Sequence, residues 1–184
     1  VEDVFSEMAF EATLSKWNIY SPRWAAVRME EHREGRFLAL HDKDFFDYAT
    51  ADRMFPPSEK VTVEFEIKTG QNDHGILQIE LQDKKNAPAL RLIFDEDGYL
   101  KYKDGYRVKN IQTYKKGQLY KIRMEADVEN RFCSLFINDK HVRNFLFFNP
   151  VHSLHRVMFR TGEVRRFPDA DTPTDQDYDL ELSD

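Results

Sequence analysis

A chain of 184 residues with 41% hydrophobic and 33% charged side chains can bury one core and is too apolar for a disordered segment. Its formal charge of -6 is unevenly placed: seven acids lie between Asp169 and Asp184, and setting them aside leaves 26 of the 33 acids against 27 Lys and Arg. A body so near neutrality lacks the basic footprint of a nucleic-acid binder, and no apolar run reaches the length of a membrane span.

Residues 1–23 mix aromatics, Trp17 and Tyr20 among them, with no sustained period. They are expected to form an irregular leading segment or one edge strand, and the lack of a charged-then-apolar leader implies that any signal peptide or lipid anchor is removed or lies upstream. From about residue 24 the pattern changes to period two. The clearest run is Val61-Thr62-Val63-Glu64-Phe65-Glu66-Ile67, with apolar residues on one face and polar ones on the other, as in an antiparallel sheet wetted on one side. Residues 75–82 and 120–126 repeat it. Shorter strands are expected at 36–42, 51–55, 89–94, 99–103, 106–111, 131–138, 141–147 and 154–161.

The breaks between these runs carry turn chemistry. Asp97-Gly98 and Asp104-Gly105 suit hairpins that need positive φ, Glu129-Asn130 and Asn138-Asp139 mark two more reversals, and Pro56-Pro57 is expected to end a strand. The lone cysteine, Cys133, alternates onto the inward face of its strand, where a small thiol packs as an inert apolar group. Ten to twelve short strands without a long amphipathic helix predict an all-β chain of two stacked antiparallel sheets. It reads as a single domain over residues 1–184, ending in an acidic loop at 168–184 that leads toward a last strand near residues 178–182.

Three groups of residues resemble a known family. They are His41-Asp42-Lys43-Asp44-Phe45-Phe46 with Arg53-Met54-Phe55-Pro56; Leu90-Arg91-Leu92-Ile93-Phe94-Asp95; and the hairpin Phe132 to Asp139 with Phe159-Arg160-Thr161-Gly162-Glu163. Together they resemble the concanavalin-like, laminin-G-like jelly-roll domains of secreted carbohydrate-active proteins of Bacteroidota-type bacteria. There such domains often sit beside a sialidase-like propeller or a polysaccharide lyase. The resemblance implies a jelly-roll sandwich, an extracytoplasmic location and an oligo- or polysaccharide partner, with a neighbouring domain as a second one. Asp139 stands where the family often has glycine.

If Leu77, Ile79 and Leu81 face the core, Gln78, Glu80 and Gln82 project the other way. Arg91, Arg123 with Glu125, and Arg156 with Arg160 do the same on their strands. Such a polar face can hold sugar hydroxyls, or an acidic sugar's carboxylate through bidentate guanidinium forks; cross-strand pairing on an ordinary exposed sheet explains the same residues. Trp17, Tyr20 and Trp24 are candidates to stack on sugar rings, or to plug one end of the sandwich. Asp42, Asp44 and Asp47 cluster in one loop and could hold a structural Ca²⁺.

Two enzymatic readings stay open beside the binding one. Glu125, Asp127 and Glu129 match the E-x-D-x-E spacing of retaining β-glucanases, which place two carboxylates on one strand face. Gln78-Ile79-Glu80 and Arg160-Thr161-Gly162-Glu163 distantly echo alginate lyase motifs, with Glu80 in place of a histidine. A non-catalytic, carbohydrate-associated accessory domain is the expectation. A purely structural packing domain is the third reading, and an exposed patch of Phe145, Phe147 and Phe148 would mark it.

Overall fold

The computed structural model describes residues 17–33, 35–44 and 47–162. The acidic tail, the strand expected near 178–182 and Glu163 lie outside the described residues. Within them the chain forms thirteen strands and no helix: β1 (Asn18–Tyr20), β2 (Ala25–His32), β3 (Gly35–Asp42), β4 (Thr50–Ser58), β5 (Lys60–Lys68), β6 (Leu77–Gln82), β7 (Pro88–Phe94), β8 (Tyr99–Asp104), β9 (Arg107–Thr113), β10 (Leu119–Asp127), β11 (Phe132–Ile137), β12 (Lys140–Leu146) and β13 (Leu154–Thr161). One sheet has the order β1-β4-β13-β6-β7-β8-β9, a second β12-β11-β10-β5, and β2 pairs with β3 alone. Every pairing is antiparallel. This is the expected concanavalin-like jelly-roll sandwich, and no helix of the described residues is long and apolar enough to cross a membrane.

Alternation builds the core. In β5, Val61, Val63 and Phe65 are buried while Thr62 and Glu66 are exposed. The nine-residue register of β5 with β10 sets these beside Tyr120, Ile122, Met124 and Ala126, and β11 adds Cys133, Leu135 and Ile137. The seven-stranded sheet answers with Ile79, Leu81, Leu92, Leu100, Val157 and Phe159. Rings meet across the gap: Phe65 packs edge-on against Phe159 at 5.1 Å, and Phe145 lies 4.9 Å from Tyr102. Cys133 is fully buried, and desolvation pushes its thiol well above the ordinary range, so it packs as an inert apolar group.

Three expectations change. Pro56 and Pro57 do not end a strand, because β4 runs on to Ser58. The register with β13 shifts between Leu154 and Arg156, so the two prolines sit in a bulge where no ladder N–H is required of them. The segment after Trp24 forms a full strand, β2, which folds back on β3 from Ala25↔Asp42 to His32↔Gly35. The phenylalanine patch does not exist as an exposed surface: Phe145 is in the core, Phe147 packs partly against it, and Phe148 is half-buried beside Arg91.

The turns hold as read. Asn138 and Asp139 both take positive φ, 51° and 65°, forming the two-residue hairpin between β11 and β12. Asn138 Oδ1 accepts a hydrogen bond from the Lys121 amide at 3.0 Å, tying the turn to β10. Because Ile122 is fully buried at the centre of the four-stranded sheet, Ile122→Ala should lower unfolding free energy by about 2–5 kcal/mol in urea titrations followed by tryptophan fluorescence.

Candidate functional site

The outer face of the seven-stranded sheet carries the polar residues, and register decides which of them meet. Directly opposed residues in a ladder share a face. Tyr20, Thr50, Arg160, Gln78, Ile93 and Lys101 therefore form one row across the sheet. Asn18, Asp52, Met158, Glu80 and Arg91 form the next, and Met54, Arg156 and Gln82 a third.

These residues are far less wet than alternation predicts. Glu80 is 3% exposed, and Gln78, Gln82, Arg91 and Arg160 are buried too. Loops lay aromatic rings over the arginines: Tyr48 sits 3.7 Å from the Arg160 guanidinium, and Phe148 lies 5.4 Å from that of Arg91. The amide of Phe148 donates to the Ala89 carbonyl at 3.0 Å, which fixes its loop against β7. Charges so placed require internal partners. Arg91 Nε donates to Glu80 Oε1 at 2.5 Å, and Gln82 Nε2 donates to Glu80 Oε2 at 2.7 Å.

A second ion pair borders a cavity. Arg156 Nη1 lies 3.2 Å from Asp52 Oδ2, beside an opening of about 310 Å³ lined by Asn18, Ile19, Tyr20, Thr50, Asp52, Gln82, Asn86, Arg156 and Met158. Burial raises the Asp52 carboxyl above its ordinary 3.8, while the Arg156 charge and a hydrogen bond from Asn18 pull the other way. Two polar atoms of the lining, Thr50 Oγ1 and Arg156 Nε, are buried without a hydrogen-bond partner.

Of the residues expected on this face, Gln78, Glu80, Arg91, Arg156 and Arg160 are brought together, and Tyr20 stands at the cavity wall. Arg123 and Glu125 are not with them. They lie on β10, on the outer side of the opposite sheet, where Arg123 packs 4.1 Å from the Phe136 ring and 3.2 Å from Glu125. Alternation gave each strand's outward side correctly but could not say which sheet the strand joins. Trp17 is a core plug against Phe159 rather than a stacking platform. Trp24 is 57% exposed, with the Arg23 guanidinium 5.0 Å from its ring, and does not line the cavity.

The aspartate loop does not form the expected ion cage: among the described residues no three His, Cys, Asp or Glu side chains converge as metal ligands. Its oxygens are taken by the chain's own donors. Asp42 Oδ1 accepts the Asp44 amide at 2.9 Å and its Oδ2 the Thr161 hydroxyl at 2.6 Å. Asp44 Oδ1 accepts the Asp47 amide at 3.2 Å, and Asp47 takes the Tyr48 amide on Oδ1 and the Tyr20 hydroxyl on Oδ2. The loop is a clasp that sets Tyr48 over Arg160 and steadies Tyr20.

Among the described residues, the carboxylates of the two catalytic patterns are placed apart or held by other partners. Glu129 lies in an exposed turn, and Asp127 accepts both the backbone and side-chain N–H groups of Asn130. Glu80 is held between Arg91 and Gln82. The residues that sequence reading passed over are Asn18, Thr50, Asp52 and Asn86. Asp52 had a legible signal, since it stands opposite in parity to Ala51 and Phe55 on an expected strand.

Residues 17–176 match the family described as "Sialidase-like, CBM domain". The chain belongs to that family. It is thus a carbohydrate-binding accessory domain, in keeping with a polar sheet face that ends in a small cavity. A solved structure titled "Sialidase" is 41% identical with a TM-score of 0.81, over 88% of this chain and 15% of that one. The domain therefore spans a small part of the sialidase it matches. A Crh5 transglycosylase (12% identity, TM-score 0.55, 83% and 66% of the two chains) and a Bacillus licheniformis β-glucanase (6%, 0.50, 82% and 80%) share the fold alone. Curated proteins give no match.

The opposing influences on Asp52 have a measurable consequence. Arg156 favours the carboxylate, so Arg156→Met should raise the Asp52 pKa further above 3.8, as read by carbon NMR titration of its carboxyl.

Proposed function

We propose that the cavity between β1, β4, β6 and β13 holds a sugar ring of a larger glycan, and that the domain anchors a neighbouring catalytic domain of the same parent protein to that glycan. What supports the reading most is the lining itself: amides, hydroxyls and one ion pair around about 310 Å³. A volume at the small end of ligand pockets suits one ring rather than a polymer track. Ile19, Met158 and the Tyr20 ring supply an apolar wall for the C–H face of a sugar, and the polar groups can meet its hydroxyls. Beside the cavity Glu80 and Arg91 hold each other, Gln78 donates to the Gly162 carbonyl and Arg160 packs on the Tyr48 ring, which gives the opening a fixed border.

An extracytoplasmic setting goes with this role, because polymeric glycans and the sialidase-type enzymes that process them meet outside the cytoplasm. Fixed strands suit the task, since a site built on a ladder loses little freedom when occupied.

Glycan-array screening followed by calorimetry tests the proposal. Arg156→Ala should weaken binding of any captured glycan by at least about tenfold, through loss of a charge-supported donor. Arg123→Ala, on the far sheet, should leave affinity unchanged. The reverse pattern would move the site to the four-stranded face.

A further inference from the structure

We infer that the cavity selects an uncharged sugar and rejects the carboxylate of an acidic one, with Asp52 as the selecting residue. The inference rests on the glycan-binding reading above and narrows its ligand class.

The lining holds one cation and one anion, Arg156 and Asp52, and they are 3.2 Å apart. The other polar members, Asn18, Tyr20, Thr50, Gln82 and Asn86, are amides and hydroxyls. Further charges border the lining: Glu80 and Arg91 are committed to each other, Arg160 stands opposite Thr50 against the Tyr48 ring, and Asp47 accepts the Tyr20 hydroxyl. An incoming carboxylate would gain attraction to Arg156 only by approaching Asp52 as well. The two effects oppose each other at similar range, while the ligand still loses its hydration. A sugar hydroxyl meets no such conflict. It can donate to the Asp52 carboxylate and accept from the Arg156 guanidinium, whose side chain stays partly exposed. Vicinal hydroxyls match a carboxylate beside a guanidinium, because each hydroxyl is both donor and acceptor.

Gln82 reinforces the choice. Its Nε2 donates to Glu80 Oε2 at 2.7 Å and points toward Met158 Sδ at 3.6 Å, so it brings no unopposed positive dipole to the opening. The apolar members Ile19 and Met158 offer nothing to an ionised group.

Calorimetric or NMR titration of the domain separates the possibilities. The probes are methyl glycosides of galactose, glucose, arabinose and rhamnose, and those of glucuronate, galacturonate and N-acetylneuraminate. At least one neutral glycoside should bind, with an affinity that changes less than about twofold between low and high salt. Asp52→Asn should weaken it by roughly tenfold and, by releasing Arg156, let an acidic glycoside bind where none did before. Asn18→Ala, on the exposed rim strand, gives a second and milder loss in a variant whose core is untouched. Preference for an acidic glycoside that Arg156→Ala abolishes would overturn this inference and leave the glycan-binding reading standing. Binding of any glycoside that neither Arg156→Ala nor Asn18→Ala affects would overturn both, as would no binding of any probe.

Discussion

Three central strands of the larger sheet, β13, β6 and β7, are buried on both faces, and the second of those faces is ionic. A Glu, several Arg and two Gln withdrawn from water cannot stay unpaired without a cost of several kcal/mol per charge. The fold meets this requirement within the sheet. Cross-strand register sets Glu80 opposite Arg91, and Asp52 one row away from Arg156. Loops then close over the guanidinium faces with Tyr48 and Phe148. A network of this kind fixes side chains in one arrangement, since moving any member would strand another. Its rigidity is what a recognition surface needs.

The pairing leaves some polar atoms of the face unmet, Gln78 Oε1, Arg91 Nη2 and Arg156 Nε among them. At the sheet edge β1 is only three residues long, Asn86 takes a positive φ of 66° at the rim, and the polar face meets water in a small cavity. There the same logic of satisfaction leaves Thr50 Oγ1 and Arg156 Nε without protein partners. The opening is continuous with the structural pairing beside it, since Gln82 lines the one and bonds to Glu80 in the other. The aspartate loop serves the same end from outside, because its hydrogen bonds hold the Tyr20 hydroxyl and the Tyr48 ring in place.

The strands were legible because side-chain alternation is a local property. Val61 to Ile67 announce one buried face whatever they later pack against, and β5 follows that pattern along its length. Turn chemistry was legible for a similar reason: Asn138-Asp139 carries its own conformational preference. Partnership between strands is not local. Nothing in Arg123 or Arg91 tells the reader that β10 and β7 belong to opposite sheets, so residues read as one face divide into two. The proline pair misled for the converse reason, since a bulge depends on the partner strand β13, a hundred residues away. The aspartates of the 42–47 loop looked like metal ligands because composition shows their number and not the backbone donors that turn to meet them.

What the architecture can supply also bounds how such a domain works. A cavity sized for one ring, ringed by a handful of hydrogen-bonding groups, offers little apolar area, so a single occupancy gains only modest free energy. Weak, quickly reversible attachment is still effective when the module is covalently joined to a second unit that acts on the same polymer. Tethering turns the second encounter into an intramolecular one and raises local concentration without any new contact. Tight binding would hinder that arrangement, because the joined unit could not advance along its substrate. A rigid, nearly neutral and sparsely apolar site therefore fits an accessory module better than it fits a receptor built for capture.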